Sequence, residues 1–379
     1  MYKNIDLFID KLMTSQPDQP LWNIEAIRQG KRPSWNYIDG CMMTSLLSLY
    51  RVTKEEKYLD FVKKYVDYYV REDGSILGYE MEKYSTDDVS ESRILFDLYD
   101  VTKNEKYLKA IEHCYQQIKT HPRTEEGNFW HKLIYPNQVW LDGLYMMQPF
   151  YTSYETKRNK FQHYDDIVNQ FKNVYRIMRD PKTGLYYHGY DSARKMFWAD
   201  KKTGLSRNFW LRSIGWYTVA LIDVYDLMDE QMYDERHTIK EIFKQIVKDV
   251  LAFQDPTSKM FYQVPNYPGR EGNYLETSGS CMIAYAILKG VRLKVLPSRY
   301  QAIGLEIFNG ICRKYLTIKD GDLNLGGICL VAGLGPENNL RRDGTYEYYI
   351  SEPIVENDAK GVGPFIMAYT EVKYIESMK

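Results

Sequence analysis

The sequence predicts an all-α fold, a closed toroid of six helical hairpins, and three observations point to it. The segment LYRVTKEEKYLDFVKKYV from Leu49 returns as LYDVTKNEKYLKAIEHCY from Leu98, and self-similarity at a period of about 50 residues is the mark of stacked helical hairpins. Within each copy, apolar residues recur at three- and four-residue spacing, the period of a helix that buries one face. Glycine and proline collect between the periodic stretches, as in Asp180-Pro181-Lys182-Thr183-Gly184, Asp255-Pro256 and Asn266-Tyr267-Pro268-Gly269, where they end helices and turn the chain.

Taken in order, an opening amphipathic helix covers Asn4 to Leu12. Each repeat copy then holds a helix ending near Leu-Tyr, a polar turn at Thr-Lys-x-Glu and a second helix carrying Tyr-Leu. Weaker echoes begin at Pro149, Ala220 and Ile283, which leaves room for about six hairpins. The stretch from Leu323 to Gly335 is rich in Gly, Leu and β-branched residues and breaks the helical pattern, as a loop or short strands on one rim would. No shift in composition marks a boundary, so residues 1–379 read as one domain. In such a ring the N-terminal ends of the inner helices gather with their loops at one mouth, which makes a deep pocket.

Composition narrows the function. With 44% hydrophobic and 27% charged residues, the chain can bury a large core. Fifty Lys and Arg stand against 51 Asp and Glu, so no overall field favours nucleic acid or an anionic membrane, and an anionic ligand needs a local cation. The five cysteines, Cys41, Cys114, Cys281, Cys312 and Cys329, are widely spaced without a CxxC pair. They read as small buried hydrophobes in a reducing compartment. Charges run through the first helix, and no apolar run approaches the ~20 residues of a membrane span, so a cytoplasmic protein is expected, as a monomer or weak homo-oligomer. The sequence has no phosphate-cradling Gly loop, HExxH or GxSxG, and its six His are dispersed, so neither cofactor nor metal is expected.

The densest chemical cluster is HKLIYPNQVWLDGLYMMQPF, which brings His131, Trp140, Asp142 and Tyr145 into one loop-to-helix passage. An Asp before Gly at a helix start is most often an N-cap. Here Trp140 and the Tyr145-Met146-Met147 run surround the carboxyl with apolar groups, a setting suited to proton donation. In NFWLRSIGWYTVALIDVYDLM, Trp210, Arg212 and Trp216 precede an apolar helix. Indole faces pack on sugar rings and an Arg fork grips a carboxylate, although both Trp could equally be core and Arg212 a cap. His188 in GLYYHGYD is structural or catalytic, with its titration near neutrality leaving both open. Asp87 and Asp88 stand before a helix, one as its N-cap, with Glu91 placed as a capping-box partner. The other carboxylate is free to face the mouth. The Ser-Gly run of REGNYLETSGSCMIAYAILKGV suits close helix packing.

The blocks VWLDGLYMMQPF, FWLRSIGWYTVAL, YQVPNYPGREGNYLETSGSCMIAYAILKGVRL and NDAKGVGPF, in that order and nearly end to end, resemble glycoside hydrolase family 105, the unsaturated rhamnogalacturonyl hydrolases, which are related to the unsaturated glucuronyl hydrolases of family 88. The resemblance implies an (α/α)6 barrel with Asp142 of the WLDG block as acid/base and Asp87 as second carboxylate. The family's Asn and Gly after that second Asp are replaced here, which leaves Asp88 as a substitute. It further implies substrate contacts from His188, Arg212 and Trp216, with His131 and Trp140 beside the acid. The implied substrate is an oligosaccharide ending in a 4,5-unsaturated uronic acid. Three other readings remain: a glucuronyl hydrolase for glycosaminoglycan, ulvan or arabinogalactan fragments, a sugar 2-epimerase, and a non-catalytic helical-repeat glycan binder. An epimerase calls for several His at the pocket, and only His131 and His188 are placed for that.

Overall fold

The two repeat copies fold into matching hairpins with the same turn chemistry. In the computed structural model, which describes residues 2–319 and 321–378, α1 (Tyr2–Leu12) and α2 (Ile24–Gln29) lead into the first copy, α3 (Tyr37–Thr53) and α4 (Glu56–Tyr69). The second copy comprises α5 (Thr86–Ser92), α6 (Ile94–Thr102) and α7 (Glu105–Thr120). Thr53 Oγ1 donates to the Leu49 carbonyl at 2.9 Å and accepts from Glu55 N at 3.2 Å. Thr102 Oγ1 repeats this with Leu98 at 2.6 Å and Asn104 at 3.2 Å. Lys54 and Lys103 adopt the left-handed conformation, φ 59° and 54°, and their N–H groups close the last helical turns on the Tyr50 and Tyr99 carbonyls.

The chain continues through β1 (Gln138–Trp140), α8 (Leu141–Lys157), α9 (Tyr164–Met178), β2 (Gly189–Asp191), α10 (Leu211–Leu227) and α11 (Tyr233–Leu251). It ends with α12 (Thr277–Arg292), α13 (Tyr300–Tyr315), β3 (Leu316–Lys319), β4 (Asp322–Leu325), β5 (Ile328–Cys329), α14 (Tyr346–Ser351), β6 (Ile354–Val355) and α15 (Ala359–Ser377). Three two-stranded antiparallel ribbons, β1 with β2, β3 with β4 and β5 with β6, decorate the helices. The segment expected to break the helical pattern supplies β5 and most of β4.

Burial explains which helices lie inside. Every residue of α10 from Leu211 to Val224 and of α12 from Thr277 to Gly290 is buried, whereas α9 and α11 bury one stripe only. The inner helices α3, α5, α8, α10, α12 and α15 touch in that order, and α15 returns to α3. Outside them, α4 packs on α3, α7 on α6, α9 on α8, α11 on α10 and α13 on α12. Asp6 of α1 accepts from the Tyr369 hydroxyl of α15 at 3.0 Å and pairs with Lys373 at 3.1 Å. The Ser-Gly run serves packing, as expected: a Cβ on Gly279 would stand 2.5 Å from Leu211, and one on Gly215 2.7 Å from Met282.

Buried charges lie between the inner helices. Asp223 of α10 accepts from Arg93 at 2.6 Å, Tyr285 at 2.8 Å and Lys289 at 2.9 Å. Burial opposes its ionisation, but Lys289 and Arg93 outweigh that and hold the carboxyl well below the usual carboxylate range. Asp39 of α3 accepts from Trp22 Nε1 at 2.7 Å. Burial pushes Asp39 up to about 7, and burial together with the Asp39 charge pushes Glu91 well above its usual range. The capping expectation for α5 is corrected here. Ser85 occupies the N-cap and neither Asp caps, while Glu91 accepts from Asn36 N at the start of the preceding hairpin at 3.0 Å. The five cysteines are buried free thiols. Among the described residues, no helix is long and apolar enough to cross a membrane.

Candidate active site

A short ribbon sets the site. Strand β1 runs into α8, and its last residue, Trp140, pairs with Gly189 of β2, while Leu141 N donates to the His188 carbonyl at 3.1 Å. The residues that follow Trp140 and precede Gly189 are thereby held side by side. Trp140 is the N-cap of α8 and makes no side-chain cap bond, so Asp142 lies in the first turn, where the helix dipole favours an anion, and its oxygens are not consumed by capping. Asp142 Oδ2 stands 3.3 Å from His188 Nε2, and neither atom has a hydrogen-bond partner among the described residues. On the other side of the fully buried imidazole, Nδ1 is 2.8 Å from the Tyr349 hydroxyl.

A second carboxyl group stands across the site on α5. Asp87 Oδ2 meets Lys132 Nζ at 2.5 Å, and Oδ1 lies 3.7 Å from His131 Nε2. Burial opposes ionisation of Asp87, yet Lys132 and His131 outweigh it and hold the carboxyl below its ordinary range. Burial lowers His131 to about 4, so at neutral pH the imidazole is uncharged and Lys132 is the counter-ion. Burial, and then the Asp87 charge, push Asp88 up to about 7. Adjacent carboxyls thus split into an anion and a group that keeps its proton under mildly acidic conditions. The His131 ring stacks on Trp140 at 4.3 Å, and Tyr135 packs on the same indole at 4.6 Å.

These groups line a polar cavity of about 260 Å³ that Tyr37, Glu25 and Arg342 also border. Asp142, Asp87, His131 and Trp140 are in its wall, and Asp88 joins them. His188 stands behind Asp142. Arg212 and Trp216 lie outside the residues that line this cavity. Arg212 is 1% exposed; its guanidinium donates to Ser278 Oγ at 2.7 Å and to the Leu330 and Cys329 carbonyls, 3.7 Å from Glu276. Since Glu276 caps α12, Arg212 ties α10 to α12 and the β5 segment. Trp216 stacks on Tyr145 at 4.3 Å and meets Tyr37 edge-on at 6.4 Å, a prop behind the wall. Sequence reasoning missed Lys132, Tyr349 and Arg342. Lys132 adjoins His131 within the same block, whereas Arg342 and Tyr349 sit in a segment without a helical or catalytic pattern. A larger open groove of about 850 Å³ between α9 and α11 holds Lys172, Arg176, His237 and Glu241, all exposed, so it offers no desolvated acid or base.

The glycosyl hydrolase family 88 profile matches residues 4–375. The chain is 42% identical to the structure of a C. acetobutylicum ATCC 824 glycoside hydrolase from family 105, with a TM-score of 0.87 over 96% of this chain and 99% of that one. It is 34% identical over 228 residues to a 24.9 kDa protein in the picA locus of Rhizobium radiobacter, covering 59% of this chain and 96% of that one. To the unsaturated rhamnogalacturonyl hydrolase YesR of Bacillus subtilis (strain 168) it is 26% identical over 266 residues, 69% of this chain and 72% of that one. A profile match over nearly the whole length and a near-complete overlay on the C. acetobutylicum enzyme make the chain a glycosidase that belongs to the family 88 and family 105 glycoside hydrolases.

Proposed function

We propose that the protein removes the terminal 4,5-unsaturated uronic acid from oligosaccharides released by a polysaccharide lyase, with unsaturated rhamnogalacturonan disaccharide as substrate and Asp142 as acid/base. The observation that carries this reading is the Asp142 carboxyl in the cavity wall, free of any cap and facing an unpartnered imidazole nitrogen. The likeness to YesR supports the substrate class. Protonated Asp142 gives its proton to C4 of the C4=C5 vinyl ether, whose π electrons form the new C–H bond. Positive charge develops at C5 and the ring oxygen. Water adds at C5 and returns a proton to the Asp142 carboxylate, and the resulting hemiketal opens and releases the second sugar. Asp87, ionised beside Lys132, faces the developing charge. Arg342 borders the cavity and pairs with no carboxylate among the described residues, which suits it to hold the uronate carboxylate in place of Arg212.

The six-helix contact order supports an (α/α)6 barrel, and one apolar cluster reaching from Ile5 to Val372 supports a single catalytic domain over residues 1–379. Free buried thiols suit a cytoplasmic protein, working as a monomer or weak homo-oligomer. The test is a panel of lyase-generated unsaturated disaccharides from several polysaccharides, followed by loss of the unsaturated chromophore. The rhamnogalacturonan product is expected to turn over fastest. Preference for glucuronyl fragments would transfer the substrate to glycosaminoglycan, ulvan or arabinogalactan, and turnover of saturated disaccharides would remove the vinyl-ether chemistry.

A further inference from the structure

We propose that Tyr349 is a positioning residue for proton transfer: its hydroxyl fixes the tautomer of His188 with the proton on Nε2, which places that N–H beside Asp142 Oδ2 and leaves Oδ1 as the oxygen that carries the transferable proton. The inference rests on the acid/base reading of Asp142. A neutral imidazole offers one N–H and one lone pair. Here the ring is completely buried, held between Trp140 at 5.5 Å and Trp210 at 4.8 Å, so both nitrogens must find partners inside the protein. Nδ1 has the Tyr349 hydroxyl at 2.8 Å, whereas Nε2 stands 3.3 Å from Asp142 Oδ2 with no hydrogen bond formed between them, both atoms being unsatisfied among the described residues.

The tautomer follows from the phenol. Tyr349 is fully buried, and His188 Nδ1 is the one hydrogen-bond partner of its hydroxyl among the described residues. Burial raises this phenol well above its ordinary range, so it keeps its proton. If Nδ1–H donated to the phenol, the buried O–H would be left without an acceptor, at the cost of a stranded donor. If the phenol donates to Nδ1, its own proton is used, and Nε2–H stands beside a carboxyl oxygen that no donor among the described residues reaches. The phenol is itself fixed: Tyr349 N donates to the Thr345 carbonyl at 3.2 Å, and its own carbonyl accepts from Gln263 Nε2 at 3.2 Å. The titratable groups facing this chain are His131, near both Asp142 and His188, and Tyr348, Asp343 and Cys329 around Tyr349.

Tyr349→Phe keeps the ring and removes only the donor. The expected result is a turnover number lower by roughly 10- to 100-fold, within the range of positioned proton transfer, with KM unchanged within about twofold. The basic limb of the pH–rate profile should move upward, because the Asp142 carboxylate loses a nearby N–H dipole that favours its charged form. In parallel, ¹⁵N spectra of histidine-labelled protein, with His188 assigned through His188→Gln, should show the Nε2–H tautomer in the unmodified protein and a mixed or Nδ1–H population in Tyr349→Phe. A purely structural role predicts unchanged turnover and pH profile in Tyr349→Phe, and either result overturns the proposal. So does an Nδ1–H tautomer in the unmodified protein, a reading that does not depend on the folding of Tyr349→Phe. Because the spectra require no substrate, a wrong substrate assignment leaves them intact, and the two failures are separable.

Discussion

At the scale of single residues, two substitutions separate chemistry from scaffold. Asp142→Asn keeps size and packing but removes the transferable proton, so turnover should fall by about 10²–10⁴ while the thermal unfolding midpoint stays within a few degrees. Near-native chromophore loss at equal folded concentration would hand the acid role to Asp88, the neighbouring carboxyl that keeps its proton. The two arginines should behave oppositely. Arg342→Ala is expected to raise KM at least tenfold with stability unchanged, since it loses a charge-assisted contact to substrate. Arg212→Lys should lower the free energy of unfolding by roughly 1–3 kcal/mol, read by urea titration, because one ammonium cannot reproduce the bonds to Ser278, Leu330 and Cys329. Asp142 was legible because its apolar company is contiguous in sequence. The protein contacts of Arg212 were not legible for a physical reason: a guanidinium among indoles looks alike whether it grips a ligand or three protein groups. Tyr349 could not be found at all, since 161 residues separate it from His188.

At the scale of elements, the repeat was the clearest signal, and its turns carry a measurable cost. Lys54 and Lys103 sit in a left-handed conformation that disfavours any residue with a Cβ. Each lysine also lies over the tyrosine four residues earlier, at 5.9 and 5.5 Å, which offsets part of that strain. Lys54→Gly and Lys103→Gly should therefore each stabilise by about 0.5 kcal/mol, additively because the sites are independent, and by the same amount in both. Unequal effects in denaturant titrations would show that the two turns are alike in letters only. The start of α5 was less legible. Asp88 and Glu91 satisfy the capping-box spacing, but Glu91 is drawn into the interior by Asn36 N, a partner 55 positions away that local pattern cannot reveal. The three ribbons escaped detail because strands of two to four residues carry no period of their own.

At the scale of the molecule, helices buried on every side imply an enclosed arrangement, and inner and outer helices could be told apart by whether apolar residues form a stripe or the whole surface. The charges trapped between inner helices were invisible beforehand, and they set how stability depends on pH. Asp39 is pushed up to about 7, so its proton stabilises the fold below the ordinary carboxylate value near 4. That contribution fades as pH rises from about 4 to about 7. Asp39→Asn, which can still accept from Trp22, should remove this decline and gain at least about 1 kcal/mol at pH 8, given about 1.4 kcal/mol per pKa unit. Little change is expected at pH 4, and an equal decline in both proteins would assign the effect to Glu91 alone. Asp223 has the opposite sign: held below its usual range by Lys289 and Arg93, it stabilises above pH ~4 and loses that contribution on acidification. The ribbon joining Trp140 to Gly189 has a practical meaning for anyone recombining these enzymes. Asp142, in the first turn of α8, and His188, just before β2, come from separate stretches of the chain, yet the ribbon and the Leu141 N to His188 carbonyl bond fix their spacing, so they behave as a single cassette. Grafting either loop alone from a relative should yield a folded, poorly active chimera, whereas moving both together should carry the activity across.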